Sequence, residues 1–435
     1  MKWDEWRHEI SDAIKILAAG MQKPAAQQTH EREGIFREAL STLSAHFLNA
    51  PAAVNETFCD FEEAELERAT TNRINQFEGE RFDVQWQNDL AADTLTAAAY
   101  VRALDRELHS FSPSHFGSKP LLEEAYKTKS KKFFVVPRAI RRKFPRRSQP
   151  FRKRGLLCNR VLPTEVQGLD VRLTQHRTSR TDPDNLVFGA ALFKQYDLKT
   201  FSSDRAFRLT DVEFEDLEGM ISQQVTSAVT EGCSILAWPE LMVPPSARDH
   251  IVQRLRETVI NHTNDKVPDL VVAGTWHAPC GEETWQNVGY VFTGAGKPLL
   301  NFAKVKKFYL RSGNTQLGED IKVGDEIQIL LTDFGAVAFG ICKDFCDVES
   351  HLLEALDIDL FIVPSLGNES TMDGHCNNGT RLKHASGART FVVQQHISNP
   401  PEEKAPDPLG WVIAPGKQGS GMSKMVQDLI WQDYS

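Results

Sequence analysis

The sequence predicts an α/β domain in the C-terminal part of a 435-residue chain, preceded by an α-helical N-terminal region. Three observations lead there. Apolar residues recur at three-to-four spacing over residues 1–112, the period of amphipathic helices. From about residue 185, short aliphatic runs alternate with amphipathic segments, the pattern of sheets covered by helices. Between the two lies a basic, Pro-interrupted stretch. A chain this long normally holds more than one domain. The expected divisions are 1–126 (helical), 127–184 (basic segment and linker) and 185–435 (α/β).

Composition narrows the class. Hydrophobic residues make up 41% and charged residues 25%, ordinary proportions for a soluble globular protein. No apolar run reaches the length of a membrane-spanning helix. MKWDEWRHEI carries acids and lacks the apolar core of a secretory signal. The seven cysteines are scattered without a CxxC pair, so a reducing cytoplasm is expected, with no structural zinc and no cofactor. The net charge of −9 is uneven. Residues 127–160 hold fourteen Lys/Arg and no Asp/Glu, which leaves the remainder at about −23.

The helical region comes first. Trp3, Trp6, Ile10, Ala13, Ile14 and Leu17 mark one face, and Ile35, Phe36, Leu40, Leu43 and Phe47 a second. Leu90, Leu95, Val101, Leu104 and Leu108 mark a third. These stripes read as core, and no catalytic pattern lies among them. FSPSHFGSKP (111–120) reads as a loop. The basic block then mixes cations with Phe133, Phe134, Phe144 and Phe151, while Pro137, Pro145 and Pro150 oppose one continuous helix. One reading is phosphate contact through 127–160, with Arg141, Arg142, Lys143, Arg146 and Arg147 on the backbone and phenylalanines stacking on bases. The other is a solvated linker, or a strap docked on the protein's own acidic surface.

In the α/β part, LVFGAALF (186–193), SILAWPE (234–240), DLVVAGTW (269–276), AVAFGI (336–341), DLFIVPS (359–365) and TFVVQQHI (390–397) read as strands. A helix is expected through Phe214, Leu217, Ile221, Val225 and Val229, stopping at Gly232. Another is marked by Ile251, Leu255 and Val259, and a hairpin turns at Gly294–Gly296. Asp347 is expected to cap a helix carrying Leu352, Leu353 and Leu356.

Three polar residues close these strands: Glu240, Lys304 and Cys342. Ligands and catalytic groups gather at strand ends in α/β folds. A carboxylate would take a thiol proton, and an ammonium would stabilise a thiolate and an oxyanion. Taken by itself, Cys342 at a strand-to-helix turn reads either as a nucleophile or as a buried structural cysteine. The set of three favours the nucleophile.

At these residues the sequence resembles the nitrilase, or carbon–nitrogen hydrolase, superfamily over roughly 185–400. The resemblance rests on Trp238-Pro239-Glu240-Leu241, Asn287 before the hairpin, Phe302-Ala303-Lys304, Glu319 before Gly324-Asp325, and Gly340-Ile341-Cys342-Lys343-Asp344. DIDLFIVPS and Ala388-Arg389 follow in the same order. The chain departs from the pattern at Val305-Lys306-Lys307, where Lys306 stands as an alternative to Lys304, and in the single residue between Gly340 and Cys342. The tail beyond Asn399, with Gly419-Ser420-Gly421, also fits less closely.

The resemblance implies an αββα-sandwich domain that pairs into a homo-oligomer. It implies Cys342 as nucleophile, Glu240 as general base, Lys304 as the cation at the tetrahedral intermediate and Glu319 as a second glutamate. The backbone N–H of Lys343 would serve the oxyanion hole, Asp344 would fix the turn, and Asn368 and Glu369 would touch substrate. The expected activity is thiol-dependent hydrolysis of a non-peptide C–N bond in an amide, carbamoyl compound or nitrile. A second class of function stays open. There the nitrilase-like domain is an interaction or sensing platform, of the kind found in bacterial defence proteins, whose N-terminal basic region binds nucleic acid or a protein.

Overall fold

A computed structural model of the chain describes residues 1–23, 28–111, 123–139, 149–181, 186–193, 196–203, 205–261, 267–312, 315–347, 356–396, 410–413, 424–426 and 429–433. These residues form two compact units, one of Met1–Glu165 with Ala355–Asp357 and one of the remainder. The division at Glu165/Val166 assigns part of the 127–184 stretch to each unit. Among the described residues, no helix is long and apolar enough to cross a membrane.

The first unit is built on α1 (Trp3–Met21), α2 (Thr29–Leu48), α3 (Ala52–Asp60), α4 (Glu63–Glu78) and α5 (Leu90–Phe111). The predicted stripes are its core: Trp6, Ile10, Ile14 and Leu17 of α1 meet Phe36, Leu40, Leu43 and Phe47 of α2 and Val101, Leu104 and Leu108 of α5. The basic stretch is ordered where it is described. Phe133–Pro137 forms β1, Phe151–Arg154 the single turn α6, and Asn159–Pro163 forms β2, antiparallel to β1.

Two of the phenylalanines read as base-stacking candidates are therefore core residues. Phe134 is fully buried, and Phe151 stacks on Phe47 with ring centroids 4.2 Å apart. Burial of a Phe side chain stabilises by roughly 1.5–3 kcal/mol, so an apolar cleft competes strongly with exposure beside cations. Several cations pair with the unit's own acids: Arg154 with Glu63 at 3.0 Å, Lys129 with Glu31 at 3.0 Å and Lys127 with Glu124 at 2.6 Å. Asp105 of α5 accepts the backbone N–H groups of Leu157, Cys158 and Asn159 at 2.7–2.8 Å, which pins the approach to β2. Phe144, Arg141, Arg142, Lys143, Arg146 and Arg147 lie outside the described residues.

The second unit contains β3 (Glu165–Val166), β4 (Leu169–Gln175), β5 (Val187–Ala191), β6 (Tyr196–Ser202), β7 (Ala206–Phe214), α7 (Leu217–Thr230), β8 (Ile235–Ala237), α8 (Pro245–Asn261), β9 (Leu270–Gly281) and β10 (Thr284–Phe292). It continues with β11 (Pro298–Ala303), β12 (Tyr309–Ser312), β13 (Thr315–Glu319), β14 (Glu326–Thr332), β15 (Gly335–Phe339), α9 (Lys343–Cys346), β16 (Leu360–Gly367), α10 (Glu369–Ala385), β17 (Arg389–His396), β18 (Gly410–Ile413), β19 (Lys424–Val426) and β20 (Leu429–Asp433).

Two seven-stranded sheets, in orders β11-β10-β9-β8-β5-β20-β19 and β18-β17-β16-β15-β14-β4-β3, carry the unit. Strand alternation assigns each residue its side. Ile235 and Ala237 of β8 join a cluster that also holds Val337, Ile362 and Val393 of the other sheet. Leu236, between them, joins Ile221 and Val225 of α7 and Ile251 and Leu255 of α8. Aromatic pairs link the two sheets: Phe188 to Phe391, and Phe302 to Phe339, each with centroids 5.0 Å apart. Helix α10 packs along β16–β18.

Three expectations change. Phe214 ends β7, and α7 begins at Leu217, where Asp216 accepts the Gly219 N–H at 3.0 Å. That cap decides the start, because a helix needs its first N–H groups satisfied. The helix after AVAFGI starts at Lys343, directly behind Cys342; Asp347 ends that single turn in extended backbone. Leu352 and Leu353, expected on a longer helix, lie outside the described residues, as do Gly419–Gly421. Finally, a four-stranded sheet of order β12-β13-β7-β6 is built from segments not expected to be strands. A register shift between Lys199 and Thr200 interrupts the alternation of β6, and β12 and β13 are only 4 and 5 residues long, too short to show a period.

Candidate active site

Glu240 follows β8 at the point where the chain passes under β9. Gly274 of β9 makes that approach feasible: its φ is +50°, and a Cβ there would lie 2.5 Å from the Pro239 carbonyl. Leu241 takes φ 57° and donates its N–H to Thr275 Oγ1 at 3.1 Å. The Glu240 carboxylate is thereby fixed. Its Oε1 accepts from Asn287 Nδ2 and from Lys304 Nζ, both at 2.8 Å, and its Oε2 accepts the Leu366 N–H at 3.0 Å.

Lys304 directly follows β11 and donates its backbone N–H to the Asn287 carbonyl at 2.9 Å. Its ammonium lies between two carboxylates, with Glu319 Oε2 at 2.7 Å on the other side. Glu319 ends β13. Its Oε1 receives Asn287 Nδ2 at 3.1 Å and faces His277 Nε2 at 3.0 Å, and its Oε2 receives the Phe308 N–H at 3.2 Å. The Glu319 carboxylate can only accept, so His277 Nε2 carries the proton between them, while Nδ1 faces the Leu209 N–H at 3.1 Å and its carbonyl at 3.3 Å.

Cys342 follows β15 and is anchored by its N–H on the Pro364 carbonyl at 2.9 Å. Its backbone sits at φ 44°, ψ −100°, a conformation few non-glycine residues adopt. The thiol donates to the Leu366 carbonyl at 3.7 Å. The backbone of one residue therefore serves two side chains: the Leu366 N–H meets Glu240 and the Leu366 C=O meets Cys342. Asp344 holds the turn. Its Oδ2 accepts the Ile341 N–H at 3.0 Å, and its Oδ1 accepts those of Val305 and Lys306 at 3.1 and 2.8 Å. The segments after Lys304 and before Cys342 are thus tied to one carboxylate.

Glu240, Lys304, Glu319 and Cys342 are each at most 4% exposed, yet all border one cavity of about 120 Å³. Its remaining wall is mainly apolar: Leu198, Phe207 and Leu209 from β6 and β7, Phe308 and Leu310, with Leu241 and Leu366. A larger cavity of about 680 Å³ lies in the helical unit beside α1 and carries none of the predicted site residues.

The electrostatics follow from burial and pairing. Burial disfavours the Lys304 charge, but Glu240 and Glu319 outweigh it and hold the ammonium well above the ordinary lysine range. Burial likewise opposes ionisation of Glu319; Lys304 and His277 prevail and bring its carboxyl down to about 2. The Cys346 side chain, burial and the Glu240 charge together raise the Cys342 thiol well above its ordinary range, against the pull of Lys304. Cys342 is thus held on the thiol side.

The fold brings Glu240, Lys304, Glu319 and Cys342 together. Lys306, the alternative lysine, pairs with Asp347 at 3.2 Å and does not border the cavity. The Lys343 N–H donates to no group among the described residues. Asn368 and Glu369 are exposed and off the cavity; the Asn368 side chain caps α10 by accepting the Thr371 N–H at 3.3 Å. His277 and the Leu366 peptide were not anticipated. His277 directly follows the predicted strand DLVVAGTW, so the strand-end rule applied to Glu240 would have found it. No local signal marks a bridging peptide.

No family model matches the chain, and no curated protein matches it. Among solved structures, an amidase from Nesterenkonia sp. is similar, with 16% identity, 59% of this chain and 92% of that chain covered, and a TM-score of 0.39. A variant of the amidase from Nesterenkonia sp. AN1, showing covalent addition of the acetamide moiety of fluoroacetamide at the active site cysteine, gives the same values. Another variant, in complex with acrylamide, is 16% identical over 57% of this chain and 90% of that chain, with a TM-score of 0.38. That amidase is described as a member of the nitrilase superfamily.

Proposed function

We propose that the unit from Val166 onward is an αββα sandwich of the nitrilase type that hydrolyses a non-peptide C–N bond of a small amide, carbamoyl compound or nitrile. The observation that carries this reading is the convergence of a buried thiol, two carboxylates and the ammonium between them on one small cavity.

For an amide, Glu240 takes the Cys342 proton as the sulfur attacks the carbonyl carbon. A thiol held protonated at rest requires such a base, and Glu240 and Cys342 both bind the Leu366 backbone and border the same cavity. The tetrahedral oxyanion is stabilised by the Lys304 ammonium and the unengaged Lys343 N–H. Glu240 returns the proton to the leaving nitrogen, the C–N bond breaks and ammonia or an amine departs, leaving a thioester on Cys342. A water then gives a proton to Glu240 and attacks the thioester. Collapse expels the sulfur, which recovers that proton, and the carboxylic acid leaves. Glu319, His277 and Asn287 position Lys304 and Glu240 and exchange no proton with the substrate.

The cavity of about 120 Å³ and its apolar wall suit a small acyl group. The test is ammonia release from a panel of short aliphatic amides and nitriles, with Cys342→Ala as control. Turnover abolished by the substitution is the expected result. Absence of turnover across the panel, with Cys342 unreactive to iodoacetamide, would overturn the reading.

A further inference from the structure

The sequence places His375 next to Cys376, and the fold separates them in function: the pair brought to His375 is Cys342 and Cys346. The two sulfurs and a ring nitrogen of His375 lie within 4.8 Å of one another. Gly374 permits this approach of α10 to α9, since a Cβ there would lie 2.8 Å from the Cys346 carbonyl.

The hydrogen bonds around His375 decide which nitrogen is free. Gln394 Nε2 donates to the Asn368 carbonyl at 2.9 Å, so its Oε1 is the atom that faces Ser365. Ser365 Oγ gives its proton to that oxygen at 3.2 Å. The same Oγ, 3.0 Å from His375 Nε2, must then accept the Nε2 proton. The Nδ1 lone pair is left bare, and it has no partner among the described residues although the ring is fully buried. A buried imidazole that keeps one nitrogen unpartnered, in a ring that offers a nitrogen within 4.8 Å of two thiols, is the donor set of a soft-metal site, with the outer partners fixing the tautomer as metal-ligating histidines require.

We propose that Cys342, Cys346 and His375 form a binding site for a thiophilic divalent cation, Zn²⁺ being the representative, and that the cation silences Cys342 by ligating it. Two sulfurs and one nitrogen make a three-ligand tetrahedral set with the fourth corner open to water. Zinc distances of about 2.3 Å to sulfur and 2.0–2.1 Å to nitrogen require donors roughly 3.4–3.8 Å apart, a contraction of at most about 1.4 Å from the observed limit of 4.8 Å. Both thiols lose their protons as the cation enters, so two protons leave for two positive charges gained and the buried site keeps its net charge. That ligation inhibits hydrolysis rests on the proposed function; the binding itself does not.

The test uses the full chain and Co²⁺ as a spectroscopic stand-in. Titration should saturate at one equivalent with a sulfur-to-cobalt charge-transfer band and tetrahedral d–d bands. Cys346→Ser should roughly halve the charge-transfer band and weaken binding at least tenfold. Ser365→Ala, which releases the His375 tautomer, should weaken it about 10–100-fold. Cys376→Ser should leave both unchanged. In parallel, Zn²⁺ should slow iodoacetamide labelling of Cys342 in the parent chain and not in Cys346→Ser. Absence of the charge-transfer band in the folded parent chain, or an identical band in Cys346→Ser, would overturn the site. Neither readout needs turnover, so failure of the hydrolase reading would leave the decision on the metal site intact.

Discussion

Lys304 Nζ lies 2.7 Å from Glu319 Oε2, and both side chains are shut away from solvent. A buried ion pair is weak evidence for net stability, but removing one partner leaves a charge with no water and no counter-ion. Lys304→Ala leaves two carboxylates, Glu240 and Glu319, joined only through Asn287. It is expected to cost about 3–5 kcal/mol of unfolding free energy in the second unit. Urea unfolding followed through the buried Trp238 would measure it; a loss under about 1 kcal/mol would contradict the pairing.

The same pair sets an acid limit. The folded-state Glu319 carboxyl is depressed to about 2 from an ordinary value of 4.5. A depressed carboxyl contributes stability that is complete above the unfolded value and is lost as pH falls through the folded one. The window is therefore between about pH 4.5 and 2, and the contribution is about 3 kcal/mol. Glu319→Gln removes this titration, so its stability should fall less steeply than the parent's across that window. Parallel slopes in pH-dependent urea titrations would count against it.

Cys342 should respond to Glu240 in opposite ways in two assays. The Glu240 charge helps hold the thiol protonated. Glu240→Gln should shift the pH midpoint for iodoacetamide labelling of Cys342 downward, while hydrolysis falls at least about 10²-fold for want of a base. A midpoint that stays in place or rises would show that Glu240 does not act on the thiol.

The backbone at Cys342 offers a separate check. At φ 44° a side chain is strained, and such strain is worth about 1–3 kcal/mol. Glycine ordinarily destabilises relative to alanine. At this position Cys342→Gly should instead be more stable than Cys342→Ala by about 1 kcal/mol. Thermal unfolding of the two inactive variants compares them directly, and the ordinary order would rule out strain.

Asp344 accepts three backbone N–H groups with two oxygens. An amide at this position offers one acceptor oxygen and an NH₂ that faces other donors. Asp344→Asn should therefore cost about 1–3 kcal/mol and lower turnover by misplacing Lys304 and Cys342 together. A variant with parental stability and activity would remove Asp344 from the positioning scheme.

Much of this site was legible in the sequence because its signals are local. An apolar run ending in Glu240, Lys304 or Cys342 is visible within a window of ten residues, and so are the helix stripes of Trp6–Leu17 and Phe36–Phe47. The segments 196–214 and 309–319 were not legible as strands. They form a small sheet with a register shift at Lys199/Thr200 and two very short strands, which leaves little period to read, and that sheet supplies Glu319 and half of the cavity wall. Phe151 shows the same limit in the helical unit: its neighbours in sequence are cations, and its neighbours in space are Phe47 and Phe58.

The sequence by itself determined the two textures of the chain, the order of its strand-end polar residues and the nitrilase-like spacing of Glu240, Lys304 and Cys342. Periodicity and chain termini of strands are properties of consecutive residues, so they survive without a fold. Only the tertiary structure decided that Lys304 stands between two carboxylates, that the backbone of Leu366, 126 residues from Glu240, serves both Glu240 and Cys342, and that the His375 ring comes within reach of the two thiols. These contacts join residues far apart in the chain. They arise when sheets pack and desolvate whatever lies between them, and no local pattern encodes which polar groups will meet there.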